Sequence, residues 1–126
     1  MTKYMLAIAA VLAAASPASA YNEDFLQMLS ETGCNSKFSD DKKTDLFDAK
    51  YKGKQMTVTG EITLVSGDEV HIKHLRSTLT SDITVAMLDK RATYDLEKGQ
   101  RITASFAVSF HGGCFLSYSG KNGVIR

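Results

Sequence analysis

The chain is poor in the residues that build several classes of site. Its 126 residues include no tryptophan, one proline, two cysteines and three histidines. The scarcity of proline, together with the lack of a low-complexity tract, excludes a proline-rich or collagen-like protein. Lysine and arginine number 15 against 14 aspartate and glutamate, a formal net charge of +1. The chain therefore lacks the global basic excess typical of nucleic-acid binding, and its length predicts a single domain.

The N-terminal segment has the pattern of a secretory signal peptide. Lys3 precedes an apolar stretch at residues 5–15, and the small-x-small sequence Ala-Ser-Ala ends at Ala20. The apolar stretch is too short to span a bilayer of about 30 Å. We predict cleavage after Ala20, a mature chain that begins at Tyr21 without a transmembrane segment, and a periplasmic or secreted location.

Export determines how the two cysteines are interpreted. Cys34 and Cys114 both lie in the predicted mature chain. In an oxidising compartment two lone cysteines of a small domain usually pair, so we predict a disulfide that closes a loop of about 80 residues. The alternative is a nucleophilic cysteine aided by His111. It is disfavoured by the lack of a Cys-x-x-Cys motif and of a clear orienting partner.

Two helices are predicted before residue 51. In the first, Asn22 is expected to be the N-cap and Gly33 the left-handed residue that ends the helix. Its apolar stripe has helical spacing and consists of Phe25, Met28, Leu29 and Thr32. The second helix is predicted over residues 40–50 with Ser39 as its N-cap.

From residue 55 onward the apolar period changes to two, which predicts five strands. The first strand begins at residue 55, and the other four are predicted over residues 69–75, 82–88, 100–110 and 114–119. Leu64 and Phe110 are assigned to the inward faces. Turns are predicted at residues 66–68, 111–113 and 120–123, and a turn of helix or an irregular crossing is predicted at residues 89–99.

The long first strand favours a closed sheet. Gly60 in its middle predicts a bulge or bend that lets the strand pair with both halves of a barrel. We therefore predict a mainly β chain, a five-stranded OB-fold (Greek-key) barrel at residues 51–126. Two short N-terminal helices at residues 21–50 precede it, after the signal peptide at residues 1–20. A flat open meander is the structural alternative.

Two segments carry a resemblance to a known family. Residues 51–62, YKGKQMTVTGEI, resemble the opening strand of exported OB-fold proteins that are similar to tRNA anticodon-binding domains and include lipoproteins. Residues 95–102, DLEKGQRI, resemble the family's entry into strand four. The resemblance covers about residues 36–118 and implies an OB-fold and an exported location. It does not extend to a lipid anchor, because no cysteine follows the predicted cleavage site.

An OB-fold generally binds ligands across strands two and three and the loops beside them. The candidate ligand-binding residues on this surface are His71, Lys73, Arg76, Thr84, Lys90, Arg91, His111 and Tyr118. Single-stranded nucleic acid would need aromatic stacking as well as charge, for which Tyr94 and Tyr118 are the nearest candidates.

No pattern in the chain points to catalysis, a cofactor or a metal. His71 and His74 would lie on opposite faces of a strand, and the helical acidic cluster lacks the ligand spacing of a calcium loop. That cluster consists of Asp40, Asp41, Asp45 and Asp48. No serine–histidine–aspartate order, phosphate-binding glycine loop or catalytic carboxylate pair is present.

We therefore predict a non-enzymatic binding module that engages a protein or a small ligand. Two alternatives stay open. One is single-stranded nucleic-acid binding, and the other is a glycan-binding secreted subunit, because toxin B subunits are also small, exported, disulfide-bonded OB-folds.

Overall fold

The computed structural model describes residues 17–74 and 82–126, with side chains from residue 22 onward. Most of the predicted signal peptide therefore lies outside the described residues. None of the helices in the described ranges combines the length and the hydropathy that a membrane span requires.

The helical arm comprises two helices of unequal length. Helix α1 runs over Pro17–Thr32 and helix α2 over Asp40–Leu46, and α2 continues into a π-helical turn at Phe47–Tyr51. Ser39 caps α2 as predicted, since its hydroxyl accepts a hydrogen bond from the Lys42 N–H. The prediction of two short helices was wrong for α1, which has 16 residues.

The ends of α1 differ from the prediction. Asn22 lies inside the helix and does not cap it. Its Oδ1 instead accepts a hydrogen bond from the Thr59 N–H at 3.0 Å, which attaches the helix to the first strand. Gly33 does follow the last helical residue, but it lacks the positive φ expected of a left-handed cap.

Five strands close into a barrel. Their bounds are β1 Gln55–Ser66, β2 Glu69–Lys73, β3 Ile83–Met87, β4 Arg101–Phe110 and β5 Tyr118–Ile125. The order around the barrel is β1-β2-β3-β5-β4, and β4 returns to β1. The β3–β5 pair is parallel and the other four pairs are antiparallel. The predicted closed, mainly β architecture is confirmed, and the open meander is wrong.

Strand β1 closes the barrel by changing partner along its length. Residues 55–61 pair with β4 and residues 61–66 pair with β2. The change occurs beside Gly60, where a Cβ would lie 2.7 Å from both the Ile72 side chain and the Lys73 carbonyl. A side chain there would force β1 and β2 apart, so the glycine permits the close approach that closure needs.

Strand β5 was predicted in the wrong place. It begins at Tyr118 and includes residues 120–123, which the glycines had marked as a turn. A Cβ on Gly120 would lie 2.3 Å from the Phe106 ring, and one on Gly123 would lie 2.4 Å from Val85. These two glycines therefore make room for core side chains inside a strand and do not reverse the chain.

Two apolar residues assigned to the inward faces are exposed. Leu64 follows a register shift after Ile62 and is 48% exposed, and Phe110 at the end of β4 is 51% exposed. A bulge moves the next side chain to the other face, and a strand end lies beyond the barrel interior.

The arm completes the hydrophobic core. Phe25 and Met28 of α1 and Phe47 after α2 are buried together with the inward side chains of all five strands. The predicted stripe of α1 is confirmed, because Thr32 is also buried and Leu29 packs against the core. The arm and the barrel therefore share one core.

Candidate functional site

The predicted disulfide is present and joins the arm to the barrel. Cys34 follows α1 and Cys114 lies in the segment between β4 and β5, residues 111–117, which we call the β4–β5 connection. Their Cα atoms are 4.7 Å apart although they are 80 residues apart in sequence. The disulfide therefore holds this connection against the end of α1.

The connection carries the most exposed aromatic side chain of the described residues. Phe115 is 91% exposed, Leu116 is 60% exposed and the neighbouring Phe110 is 51% exposed. We call these three residues the apolar tip. A hydrogen bond of 2.9 Å from the Gly113 N–H to the Leu116 carbonyl closes the loop that presents them. The tip is therefore anchored by a covalent bond and a backbone hydrogen bond.

The base of the connection is packed into the protein. The His111 ring stacks on Phe47 at 4.9 Å between centroids, and its Nε2 donates to the Thr32 carbonyl at 2.7 Å. The Tyr118 hydroxyl bonds to the Thr32 hydroxyl at 2.7 Å, and Tyr118 is 2% exposed. Burial raises the pKa of Tyr118 above its ordinary value. His111 and Tyr118 therefore hold the connection against α1.

A cleft of about 250 Å³ lies beside the disulfide, between α2 and the connection. Its lining residues are Thr32, Gly33, Cys34, Asp40, Lys43, Thr44, His111, Gly112, Gly113 and Cys114. The Lys43 ammonium lies 3.7 Å from the exposed Asp40 carboxylate. Since a carbonyl only accepts, His111 carries a hydrogen on Nε2. The cleft thus adds a cation and a histidine ring beside the apolar tip.

Two of the predicted ligand-binding residues meet on the β2–β3 face. His71 on β2 and Thr84 on β3 are cross-strand partners, and the Thr84 hydroxyl lies 3.3 Å from the His71 Nδ1. Both are half-buried, and Lys73 ends β2. Arg76 lies outside the described residues. This face therefore offers one polar pair, His71 and Thr84.

Lys90 and Arg91 lie at the opposite end of the barrel from the β4–β5 connection. They belong to a 3₁₀ turn after β3, in the segment where a helical turn was predicted, and both are exposed. The Thr93 hydroxyl attaches this turn to the β1–β2 turn through the Gly67 carbonyl at 2.8 Å. Tyr94, next to the turn, is 88% exposed. The predicted ligand-binding residues that the structure describes therefore form three separate groups.

The apolar tip was missed by sequence reasoning. Phe115 and Leu116 were included in a predicted strand, because an apolar run after a glycine pair has the composition of a strand. A signal was present: residues 110–120 contain no charged side chain, which is unusual for a solvent-exposed loop. Lys43 was missed because its position on α2 gives no indication of a cleft.

Comparison with protein-family models, with curated proteins and with solved structures found no match to this chain. Within the part of the chain that the structure describes, no three histidine, cysteine, aspartate or glutamate side chains lie close enough to hold a metal ion. The site must therefore be interpreted from its own geometry.

An ionic contact also holds α1 on the π-helical turn. The Lys50 ammonium donates to both Glu31 oxygens at 2.6 and 2.9 Å, and the buried Tyr51 hydroxyl donates to Oε1. Lys50 and Tyr51 lower the pKa of Glu31 through these hydrogen bonds. The pKa of Tyr51 is raised, first by burial and to a smaller extent by the hydrogen bond to Glu31.

Replacing Glu31 with Gln is expected to lower the free energy of unfolding at pH 7 by about 1 kcal/mol, a value reduced by the partial exposure of Lys50. Because the Glu31 pKa is lowered on folding, its contribution is present above the unfolded pKa of about 4.5 and is lost as pH falls through the folded value. Urea unfolding measured from pH 7 downward should show the difference between the two proteins shrinking below about pH 4.5 as the pH falls. A difference that stays constant with pH would contradict this account.

Proposed function

We propose that this protein is an exported, non-enzymatic OB-fold module that binds a protein partner through the apolar tip. The OB-fold assignment is supported by the strand order β1-β2-β3-β5-β4, by the parallel β3–β5 pair and by a β1 strand that pairs on both sides. The disulfide is compatible with an oxidising compartment.

The observation that carries the proposal is the exposure of Phe115 and Leu116 on a covalently anchored loop. Folding removes almost none of the Phe115 side chain from water, because this side chain is 91% exposed. Its burial by a partner would remove a large apolar area from water. Because the disulfide and the Gly113–Leu116 hydrogen bond already restrict the loop, binding would cost little ordering entropy.

The chemistry of the tip favours a protein over the other ligands. Charged residues are depleted and aromatic residues enriched at the centre of protein interfaces, and residues 110–120 follow this pattern. Single-stranded nucleic acid would require a row of cations beside the aromatic ring, whereas the connection has none and the adjacent cleft has only Lys43, which lies 3.7 Å from the Asp40 carboxylate. Lys43 and His111 in the adjacent cleft supply the polar groups that an interface has at its rim.

This proposal is tested by photo-crosslinking. A photo-crosslinking amino acid replaces Phe110, and the protein is irradiated in an extract of the exporting cell's envelope and medium. A crosslinked protein is identified, purified and titrated against the native protein, Phe115→Ser and Leu116→Ser. Each substitution is expected to weaken binding about 30-fold or more, as for a central interface residue.

The matched controls are Leu88→Ser and Tyr94→Ser, which remove exposed apolar side chains at the other end of the barrel. They should change the affinity less than about twofold. Equal losses in both pairs of variants, or no loss in the Phe115 variant, would overturn the proposal. A homodimer that dissociates on Phe115→Ser, detected by light scattering, would assign the tip to a second copy and would also overturn it.

A further inference from the structure

A second surface lies on the outer side of β1 and β4, away from the β4–β5 connection. It is a groove of about 440 Å³ within the size range of small-molecule sites, about 300–1,000 Å³. Its lining residues are Thr59, Gln100, Arg101, Ile102, Thr103, Ile125 and Arg126. We call it the arginine groove.

The Arg126 guanidinium is held in place from one side. Its Nε donates to the Ser105 hydroxyl at 2.8 Å, and its backbone N–H donates to the Thr103 carbonyl at 2.8 Å. Ser105 is buried and bonds in turn to the Thr57 hydroxyl at 2.7 Å. The two terminal NH₂ groups of Arg126 are left without an acceptor among the described residues, in the fork geometry that binds an oxyanion with two hydrogen bonds.

The two arginines of the groove form no ion pair with the described residues. Among residues 22–74 and 82–126, no carboxylate lies within 4.0 Å of the Arg101 or the Arg126 guanidinium. Glu61 is the cross-strand partner of Arg101 in the β1–β4 register, but its carboxylate lies more than 4.0 Å from the Arg101 guanidinium. Two guanidinium groups therefore face the same groove with free donors.

The remaining polar groups of the groove also offer donors. The Thr59 and Thr103 hydroxyls bond to each other at 2.8 Å, and since only one of them donates, the other keeps its hydrogen. The Gln100 Oε1 accepts a hydrogen bond from the Glu97 N–H, so the Gln100 NH₂ group is the part of this amide that can donate to a ligand. The groove is thus matched to a ligand that carries an oxyanion and several further acceptor oxygens.

We propose that the arginine groove binds an acidic saccharide, that is, a sugar that carries a sulfate, phosphate or carboxylate group. The Arg126 fork binds the oxyanion, Arg101 adds a second cationic contact, and the Gln100 amide and the threonine hydroxyl bind sugar oxygens. This site is independent of the apolar tip. The groove lining contains no aromatic side chain, so it lacks the stacking surface that single-stranded nucleic acid uses.

The proposal is tested by titrating the ¹⁵N-labelled full-length mature protein with four ligands in turn. They are a sulfated disaccharide, its unsulfated parent, inorganic sulfate and a short single-stranded oligonucleotide. We expect the sulfated disaccharide to shift the amide resonances of residues 100–103 and 126, and the unsulfated parent to leave them unchanged. Affinity should fall as salt is raised, because the arginines are exposed.

Arg126→Gln is expected to weaken binding of the sulfated disaccharide about tenfold or more. Arg126→Lys, which keeps the charge but not the fork, should also weaken it. Arg91→Gln removes the same charge from the exposed 3₁₀ turn and serves as the control, with less than about a twofold change.

Three results would overturn the proposal. The first is an equal loss of binding in Arg91→Gln and Arg126→Gln, which would indicate charge attraction without a site. The second is inorganic sulfate binding as tightly as the disaccharide, which would indicate an anion site only. The third is tighter binding of the oligonucleotide at the same resonances.

Discussion

Removing the Cys34–Cys114 disulfide is expected to lower the free energy of unfolding by about 4–5 kcal/mol. The bond joins residues 80 apart in sequence, and the chain-entropy account assigns this stabilisation to the restricted unfolded state. A domain of this size has about 5–15 kcal/mol in total. The reduced protein should therefore be marginally stable or unfolded at 37 °C, although reduction removes no side chain that packs in the core.

Urea unfolding of the oxidised protein, the reduced protein and the Cys34→Ser/Cys114→Ser double variant measures this effect. The reduced protein and the double variant should unfold at the same urea concentration, well below the oxidised protein. Reductant should leave the double variant unaffected, which serves as the control for nonspecific effects of the reagent. A loss of less than about 1 kcal/mol would contradict the prediction and would mean that arm packing fixes the connection without the bond.

The predictable part of the fold depends on local periodicity. The alternation at Met56, Val58 and Ile62 and at Ile102 and Ala104 identified strands whose inward residues are buried in the structure. The helical spacing of Phe25 and Met28 likewise identified the face of α1 that joins the core. These patterns are readable because burial on one face of an element repeats with that element's own period.

The errors in the predicted fold occur where a contact with a residue distant in sequence determines which amino acid a position can hold. Gly120 and Gly123 were interpreted as turn residues, but they are glycines because Phe106 and Val85 occupy the space of a side chain. Local sequence cannot distinguish a glycine required by a positive φ from one required by a neighbour that is distant in sequence. The position of β5 was displaced for this reason.

The candidate site was only partly accessible from sequence. The disulfide followed from counting cysteines in an exported chain, but the exposure of Phe115 depends on how the β4–β5 connection closes. The Arg126 fork depends on the pairing of β1 with β4, which brings Thr57 and Ser105 together from 48 residues apart. Sites assembled from several strands require the register, and the register was not predicted.

The second large effect is expected at Phe25, which is fully buried on α1. Its ring packs edge-on against Tyr118 at 6.2 Å and against His74 at 6.4 Å, so it touches the starts of β5 and of the β2–β3 connection. Replacing Phe25 with Ala is expected to lower the free energy of unfolding by about 3–5 kcal/mol, because it leaves a cavity between arm and barrel.

The neighbouring Leu26 supplies the matched control, since it lies on the same helix and is 41% exposed. Leu26→Ala should cost less than about 1 kcal/mol in the same urea unfolding experiment. Should Phe25→Ala fail to fold, Phe25→Leu retains most of the apolar volume and is expected to give an intermediate loss. If the Phe25 and Leu26 variants were equally stable, α1 would not be part of the barrel core. The arm would then be an appendage tethered by the disulfide, and the barrel alone would have to account for the stability of the domain.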